Sequence, residues 1–252
     1  MKIDGNKIQA EILDNLKKQE KPKGILVAVL VGNNEASQSF LKIKKKVAEE
    51  LGVDFRIYEF DENISTNKLR EEVVRISKQK SVRGVIVQLP LPGTINRDRV
   101  LKAMPAEKDI DALNENSIYK APAVLTGLTI IERQGLILNN LSCAVVGAGF
   151  LVGKPMTDYL IGKVKKITIF EEGSDLRELV NYDLVILGTG KAGLVDDSNI
   201  KDGALVIDFG YYEGKGDLSL ENISEEINYT PTPGGTGPVL VAKLFENFYK
   251  TL

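Results

Sequence analysis

Short apolar runs rich in β-branched residues alternate along the chain with stretches whose apolar positions recur at helical spacing. This order is typical of βα units on parallel sheets and predicts an α/β fold. The predicted strands are Gly24–Val31, Phe55–Phe60, Val82–Leu89, Ser142–Val146, Lys166–Phe170, Leu184–Leu187 and Ala204–Phe209. The predicted helices are Ile3–Lys18, Ser37–Leu51, Thr66–Lys78, Arg97–Ala103, Thr126–Leu138, Val152–Leu160 and Val239–Tyr249.

An irregular stretch, Pro105–Pro122, divides the pattern into two series. We predict two domains with a cleft between them. Residues 1–120 and 238–252 form an N-terminal three-layer α/β domain, and residues 121–237 form a Rossmann-like dinucleotide-binding domain. The last helix, after Pro238, is expected to return to the first domain.

Composition narrows the class of protein. The 252 residues include 33 basic and 35 acidic side chains, and this net charge of −2 argues against a nucleic-acid partner. No apolar run reaches the roughly eighteen residues of a spanning helix, and the N-terminus is polar, so we expect a cytoplasmic protein without membrane contact. With no histidine and a single cysteine, Cys143, we predict no metal site and a buried structural thiol.

A glycine turn follows the predicted strand Ser142–Val146. Gly147, Ala148 and Gly149 stand between this strand and the predicted helix Val152–Leu160, and Gly153 lies in the first turn of that helix, where backbone N–H groups can approach a pyrophosphate. The third glycine comes one residue later than in the usual spacing, so a tight turn without a ligand is the alternative. The surrounding βαβ series favours binding of NAD or NADP.

Two acidic residues, Glu171 and Glu172, directly follow the next predicted strand, 24 residues after Gly147 for the first of them. A carboxylate at this place commonly accepts hydrogen bonds from the adenosine ribose and repels a 2′-phosphate. We therefore predict that NAD is preferred over NADP. The alternative is a pair of solvated charges, and the neighbouring Lys165 and Lys166 argue in its favour.

The segment Val31–Lys46, VGNNEASQSFLKIKKK, resembles the methylenetetrahydrofolate dehydrogenase/cyclohydrolase family. The segments VQLPLP, KDID and TPTPGGTGP follow in the family's order, and IDG and GALVIDFG extend the resemblance over nearly the whole chain. It implies NAD(P)-dependent oxidation of methylenetetrahydrofolate and hydrolysis of the methenyl product to 10-formyltetrahydrofolate. Tetrahydrofolate one-carbon derivatives are the implied substrates, and a homodimer is the implied assembly.

The resemblance also assigns roles to residues. It implies that Lys44 assists the addition of water, that Gln88 tunes this lysine and that Asp111 holds the pterin. Phe40 and Lys44 are four residues apart, hence on one helix face, and desolvation there would lower the pKa of the lysine. Without the resemblance, Lys44 would be assigned to the surface, Gln88 to a polar strand end and Asp111 to a turn. The other expected substrate-binding residues are Leu89, Pro90, Pro233, Gly234 and Gly235, and the other expected cofactor-binding residues are Gly190 and Tyr211.

Four positions depart from the family's pattern. Phe40 replaces a tyrosine, Ala112 a glycine, Val124 a polar residue and Val239 the methionine of a Pro-Met-Thr segment. Loss of the tyrosine hydroxyl should weaken the hydrolase more than the dehydrogenase, because hydrolysis requires proton movement. The departures leave two alternatives open: a paralogue that binds folate or dinucleotide without turnover, and a dehydrogenase with a non-folate substrate.

Overall fold

A computed structural model of the protein describes residues 1–251. The helices are α1 (Gly5–Lys17), α2 (Glu35–Glu50), α3 (Thr66–Ser77), α4 (Arg97–Leu101), α5 (Pro122–Arg133), α6 (Gly153–Leu160) and α7 (Thr236–Tyr249). The strands are β1 (Ile25–Val31), β2 (Asp54–Phe60), β3 (Val82–Val87), β4 (Ser142–Val146), β5 (Lys166–Phe170), β6 (Leu184–Leu187), β7 (Leu205–Asp208) and β8 (Asn228–Tyr229). Short 3-10 helices cover Ala106–Lys108, Leu138–Asn140, Leu176–Asn181 and Asp197–Asn199.

The described chain divides into two compact units, each with a parallel sheet, which confirms the predicted α/β class. The three-stranded unit comprises Glu11–Pro122 and the described residues from Val241 onward. The five-stranded unit comprises Met1–Ala10 and Ala123–Leu240. This grouping differs from the predicted division at the N-terminus, where Ile3 N–H donates to the Tyr229 carbonyl at 2.8 Å. Backbone pairing of this kind leaves no periodic signal in the sequence.

The sheet of the three-stranded unit has the order β2–β1–β3. The central strand β1 is almost completely buried, because helices cover parallel sheets on both faces. The final helix α7 belongs to this unit from Val241 onward, with Phe245 and Phe248 fully buried. Its Asn247 Nδ2 donates to the carbonyls of Ile110 and Lys120, both at 2.9 Å. These bonds tie α7 to the segment that follows β3.

The sheet of the five-stranded unit has the order β5–β4–β6–β7–β8 with parallel pairing throughout. This arrangement is Rossmann-like, as predicted. Strand β4 lies between β5 and β6, so the loops that follow these three strands meet at one edge of the sheet. Strand β8 was not predicted, since it has only two residues, Asn228 and Tyr229, and follows a polar stretch.

Each predicted helix and strand is present in the structure. The predicted bounds differ most from the observed ones at two helices, α5 and α7. Helix α5 begins at Pro122 and ends at Arg133, whereas the prediction was Thr126–Leu138. Proline is compatible with the first turn of a helix, and Gly135, with φ +66°, terminates the helical path. Helix α7 begins at Thr236 rather than Val239 for the same reason, because Pro238 lies in its first turn.

The side chain of Cys143 on β4 is fully buried, as predicted, and burial raises the pKa of its thiol to about 12. It is therefore a packing residue and not a nucleophile. Among residues 1–251, no helix is both long and apolar enough to cross a membrane. The same residues contain no cluster of three or more histidine, cysteine, aspartate or glutamate side chains suited to a metal ion.

Candidate active site

The amine of Lys44 lies inside the three-stranded unit. Helix α2 begins at an N-cap, Asn34, whose side chain accepts from Ser37 N–H at 2.9 Å. The buried face of the helix is then formed by Ser37, Leu41, Lys44, Val47 and Ala48. Lys44 is only 2% exposed, whereas the other lysines of the run, Lys42, Lys45 and Lys46, are exposed as predicted.

Four predicted site residues of this unit come together around that amine. Lys44 Nζ donates to Gln88 Oε1 at 3.1 Å and lies 4.0 Å from Asp111 Oδ2. It also stands 4.8 Å from the centroid of the Phe40 ring, within the range of a cation–π contact. Residues from α2, from the end of β3 and from the turn that follows the 3-10 helix Ala106–Lys108 thus form one cluster.

Burial shifts both ionisable groups of the cluster toward their neutral forms. Desolvation lowers the pKa of Lys44, and the attraction of Asp111 only partly opposes this change. Desolvation likewise raises the pKa of Asp111, and Lys44 partly opposes it. A lower pKa increases the fraction of neutral amine, the form that can accept a proton from water.

The orientation of Gln88 follows from its second hydrogen bond. Its Nε2 donates to the Leu89 carbonyl at 2.8 Å, so Oε1 is the atom left to face Lys44. Ser37 Oγ donates to the same carbonyl at 3.3 Å and thereby links α2 to the end of β3. The Leu89–Pro90 peptide bond is cis, and Pro90 is exposed.

The turn that presents Asp111 is held by Asp109, a neighbouring carboxylate. Asp109 is fully buried and accepts from Leu113 N–H at 3.1 Å and from Asn114 N–H at 2.7 Å. Burial raises the pKa of this carboxyl to about 6, although the backbone bonds favour its charged form. Ala112 lies within the turn at φ +53°, a conformation that favours glycine.

The glycine turn lies in the five-stranded unit between β4 and α6. Gly147 has φ +88°, and a Cβ atom on Gly153 would stand 1.8 Å from the Gly147 carbonyl oxygen. Glycine is therefore required at position 153 for the helix to start this close to the strand end. No side chain among the described residues caps α6, but Lys154 N–H donates to the Gly149 carbonyl at 2.9 Å and residue 155 is a proline, so the start of the helix offers at most the Gly153 N–H to a ligand. Ala148 and Gly149 of the turn are exposed.

The loop after β6 packs beside this turn. A Cβ atom on Gly147 would stand 2.9 Å from the Thr189 methyl group, and one on Gly190 would stand 4.0 Å from the Tyr211 carbonyl. The structure therefore brings the predicted cofactor residues Gly147, Gly190 and Tyr211 to one edge of the sheet. Tyr211 itself is 63% exposed.

Two buried aspartates that were not predicted as site residues, Asp208 and Asp217, hold these loops. Asp217 Oδ2 accepts from the N–H and the hydroxyl of Thr189, at 2.6 and 2.8 Å, and Asp217 Oδ1 has no hydrogen-bond partner among the described residues. Asp208, at the end of β7, accepts from Gly210 N–H at 2.7 Å and from Leu218 N–H at 3.0 Å. Burial raises the pKa of Asp208 to about 7. The available signal was an acidic residue within the apolar run Ala204–Phe209.

Glu171 and Glu172 are exposed just beyond β5. Glu172 Oε1 accepts from Lys191 Nζ at 2.7 Å, and this hydrogen bond lowers the pKa of the carboxyl. Lys165 and Lys166, which argued against a ribose site, lie at the amino end of the strand. Five strand residues span about 17 Å, so these lysines are remote from the carboxyl end where ligands of such sheets bind.

The predicted substrate-binding residues Pro233, Gly234 and Gly235 belong to the five-stranded unit, whereas the residues that surround Lys44 belong to the three-stranded unit. Gly234 carbonyl accepts from Gly5 N–H at 2.8 Å, and Gly235 is buried against the Pro231 carbonyl. The Thr232–Pro233 peptide bond is cis, and Pro233 is exposed. Their backbone approach to a ligand stays a prediction.

Comparison with known proteins identifies the family. Residues 3–111 match the profile of the tetrahydrofolate dehydrogenase/cyclohydrolase catalytic domain, and residues 122–252 match that of its NAD(P)-binding domain. The chain belongs to the tetrahydrofolate dehydrogenase/cyclohydrolase family. The resemblance seen in the sequence motifs is thereby confirmed.

Individual relatives of this tetrahydrofolate dehydrogenase/cyclohydrolase family member match over nearly their whole length. Bifunctional protein FolD of Nautilia profundicola is 34% identical, covering 98% of this chain and 95% of the relative. The crystal structure of the bifunctional FolD enzyme of Campylobacter jejuni has a TM-score of 0.93 at 29% identity, covering 100% of this chain and 98% of that one. The Trypanosoma brucei enzyme, solved with NADP and an inhibitor, has a TM-score of 0.89 at 25% identity, covering 98% and 95%.

Two of the departures from the family pattern lie in the interior of the described chain. Val124 is 3% exposed in the first turn of α5, and Val239 is fully buried in α7. Apolar residues suit these packed positions. Ala112 is different, because its departure places a Cβ atom where the backbone favours glycine.

Replacement of Ala112 by glycine should stabilise the protein. An L-residue in the left-handed region costs roughly 1 kcal/mol relative to glycine, so we expect Ala112→Gly to raise the free energy of unfolding by up to about 1 kcal/mol. Thermal and urea denaturation of the variant and the wild type measure the change. Ala36→Gly, at an exposed position of α2, is the matched control and should lower stability, because glycine disfavours a helix. A destabilised Ala112→Gly variant would contradict this account of the turn.

Proposed function

We propose that the protein oxidises 5,10-methylenetetrahydrofolate to 5,10-methenyltetrahydrofolate with NAD(P) and hydrolyses the methenyl form to 10-formyltetrahydrofolate. The observation that carries the proposal is the buried Lys44 amine beside Gln88 and Asp111, in a chain that belongs to this family. Lys44, Gln88 and Asp111 are the proposed catalytic residues. Phe40, Leu89 and Pro90 are proposed to contact the substrate.

The hydrolytic step uses the lowered pKa of Lys44. The oxygen of a water molecule bonds to the cationic methenyl carbon while one of its protons passes to the neutral Lys44 amine. Collapse of the adduct breaks the bond between this carbon and N5, which takes a proton from Lys44. The remaining hydroxyl proton leaves to solvent, and the formyl group stays on N10. Asp111, 4.0 Å from the amine, stabilises the ammonium that forms in between.

The dinucleotide supplies the hydride acceptor for the methylene carbon. Gly147, Ala148, Gly149 and Gly153 are proposed to hold its pyrophosphate, since the small residues of the exposed turn let its backbone N–H groups approach a ligand. Gly190 and Tyr211 border the same edge of the sheet.

NAD is the proposed cofactor in preference to NADP, because Glu171 and Glu172 give the strand end a negative charge. Pro233, Gly234 and Gly235 are proposed as further substrate contacts through their backbone. The three-stranded unit would carry the folate chemistry and the five-stranded unit the dinucleotide. We further propose a cytoplasmic location and a homodimer, which the family resemblance implies.

The assignment of Lys44 is tested by Lys44→Met, which keeps the length of the side chain but removes the base. We expect the hydrolase rate to fall by roughly 10²- to 10⁴-fold, the contribution of a positioned proton acceptor, with a smaller loss of hydride transfer. Separate spectrophotometric assays of the two steps measure this. Lys46→Met, at an exposed position of the same helix, is the control and should be neutral. Full hydrolase activity in Lys44→Met, or folate binding by the wild type without any turnover, would defeat the proposal.

Substitutions of Gln88 test whether this residue tunes the pKa of Lys44, because they change the charge beside the amine and therefore the pH dependence of hydrolysis. Hydrolysis needs the neutral amine, so the rate should rise with pH and level off above the lowered pKa of Lys44. Gln88→Glu places a carboxylate against the amine and favours the ammonium, so we expect the hydrolase rate to reach its plateau at a higher pH. Gln88→Leu removes the hydrogen-bond acceptor, so we expect the rate to reach its plateau at a lower pH. Identical profiles for the three proteins would show that Gln88 does not tune Lys44.

Phe40 leaves the amine without a neighbouring hydroxyl at the position where the family pattern has tyrosine. We expect the hydrolase to be weak relative to the dehydrogenase, and Phe40→Tyr to raise the hydrolase rate several-fold while changing hydride transfer less. The ratio of the two rates in each protein measures the effect. Phe40→Leu, which removes the ring, is the control and should lower both rates. An unchanged ratio in Phe40→Tyr would contradict the argument.

A further inference from the structure

The ion pair between Lys191 and Glu172 crosses the carboxyl edge of the five-stranded sheet. Glu172 follows β5, Lys191 follows β6, and β4 with its glycine turn lies between those strands. The 2.7 Å bond from Lys191 Nζ to Glu172 Oε1 therefore spans the residues proposed to hold the dinucleotide. No other ion pair among the described residues joins these two loops.

The two neighbouring glutamates are not equivalent. Glu172 is bonded to Lys191, whereas no described residue forms an ion pair with Glu171, whose N–H donates to Ser174 Oγ at 3.0 Å. Glu171 thus keeps a carboxylate with free acceptor capacity at the strand end. A ribose 2′,3′-diol is a donor that such a carboxylate recognises, and a 2′-phosphate is a group that it repels.

The pair does little for stability, because both side chains are solvated. Lys191 is 57% exposed and Glu172 88% exposed, and ion pairs at such positions contribute little to folding. Its consequence is for ligands, since Lys191 is a cation at the edge of the sheet where a 2′-phosphate would arrive. Two further cations of the five-stranded unit, Arg177 and Lys154, are paired with Asp175 and Asp158.

We propose that Glu172 sets the choice of cofactor indirectly, by holding Lys191 away from a 2′-phosphate, while Glu171 accepts the ribose diol. This inference rests on the proposed dinucleotide binding and refines it. The chain then contains a cation able to bind NADP but keeps it engaged with its own carboxylate. Glu172 is accordingly a positioning residue, because it acts on the cofactor through Lys191.

The test is a set of dissociation constants, measured by calorimetry, for NAD, NADP, 5′-AMP and 2′,5′-ADP. In Glu172→Gln, we expect 2′,5′-ADP and NADP to bind roughly two- to fivefold more tightly, because release of Lys191 from an exposed ion pair supplies no more than the small free energy of that pair. Binding of 5′-AMP should stay unchanged. The double variant Glu172→Gln/Lys191→Gln should lose this gain, and the gain should shrink as salt is added. Glu171→Gln should instead weaken NAD and 5′-AMP.

The outcomes separate this inference from the proposed function. If the wild type binds no dinucleotide, both are overturned. If the wild type binds NAD but the tighter NADP binding of Glu172→Gln persists without Lys191, removal of negative charge alone explains it. The role of Lys191 is then wrong, while the proposed function stands. Unchanged NADP binding in Glu172→Gln also overturns the inference alone.

Discussion

Burial of one lysine amine is the constraint around which the three-stranded unit is arranged. An ammonium removed from water needs compensation, yet Lys44 has only a glutamine oxygen at 3.1 Å, a carboxylate at 4.0 Å and an aromatic ring. This incomplete compensation lowers its pKa, and a complete ion pair would have kept it charged. The Leu89 carbonyl orients Gln88, and Asp109 supports the turn that carries Asp111. Each contact therefore determines how basic the amine is.

The strands could be predicted because buried parallel strands are continuous apolar runs of β-branched residues, as β1 and β6 are. The start of α5 could not be predicted as well, since a proline can either end a segment or begin a helix. Strand β8 depends on pairing with β7, which no local pattern reveals. The left-handed conformation of Ala112 was equally hidden, because alanine carries no signal for it.

At the site, the family resemblance identified Lys44, but a physical signal was also present. Leu41, Lys44 and Ala48 share one helix face, so a lysine stands where the pattern requires an apolar residue. Without the resemblance, Gln88 and Asp111 could not be paired with Lys44, since the end of β3 and the turn around Asp111 reach the amine through tertiary packing. Asp208 and Asp217 were not predicted, because their hydrogen bonds to loop N–H groups form only in the folded chain and leave no pattern along the sequence.

The hydrogen bonds that Asp208 and Asp217 accept from the neighbouring loops explain how an exposed ion pair can influence the choice of ligand. Asp217 holds Thr189, two residues before Lys191, and Asp208 holds Gly210 and Leu218 in the neighbouring loop. Because these carboxylates are buried and bonded mainly to backbone N–H groups, the loop after β6 has a defined path, and Lys191 starts from a defined position. The backbone of such a loop loses little freedom when its cation meets a phosphate, and only the lysine side chain must be ordered. Its partner Glu172, exchangeable in solvent, can then decide whether that cation is available.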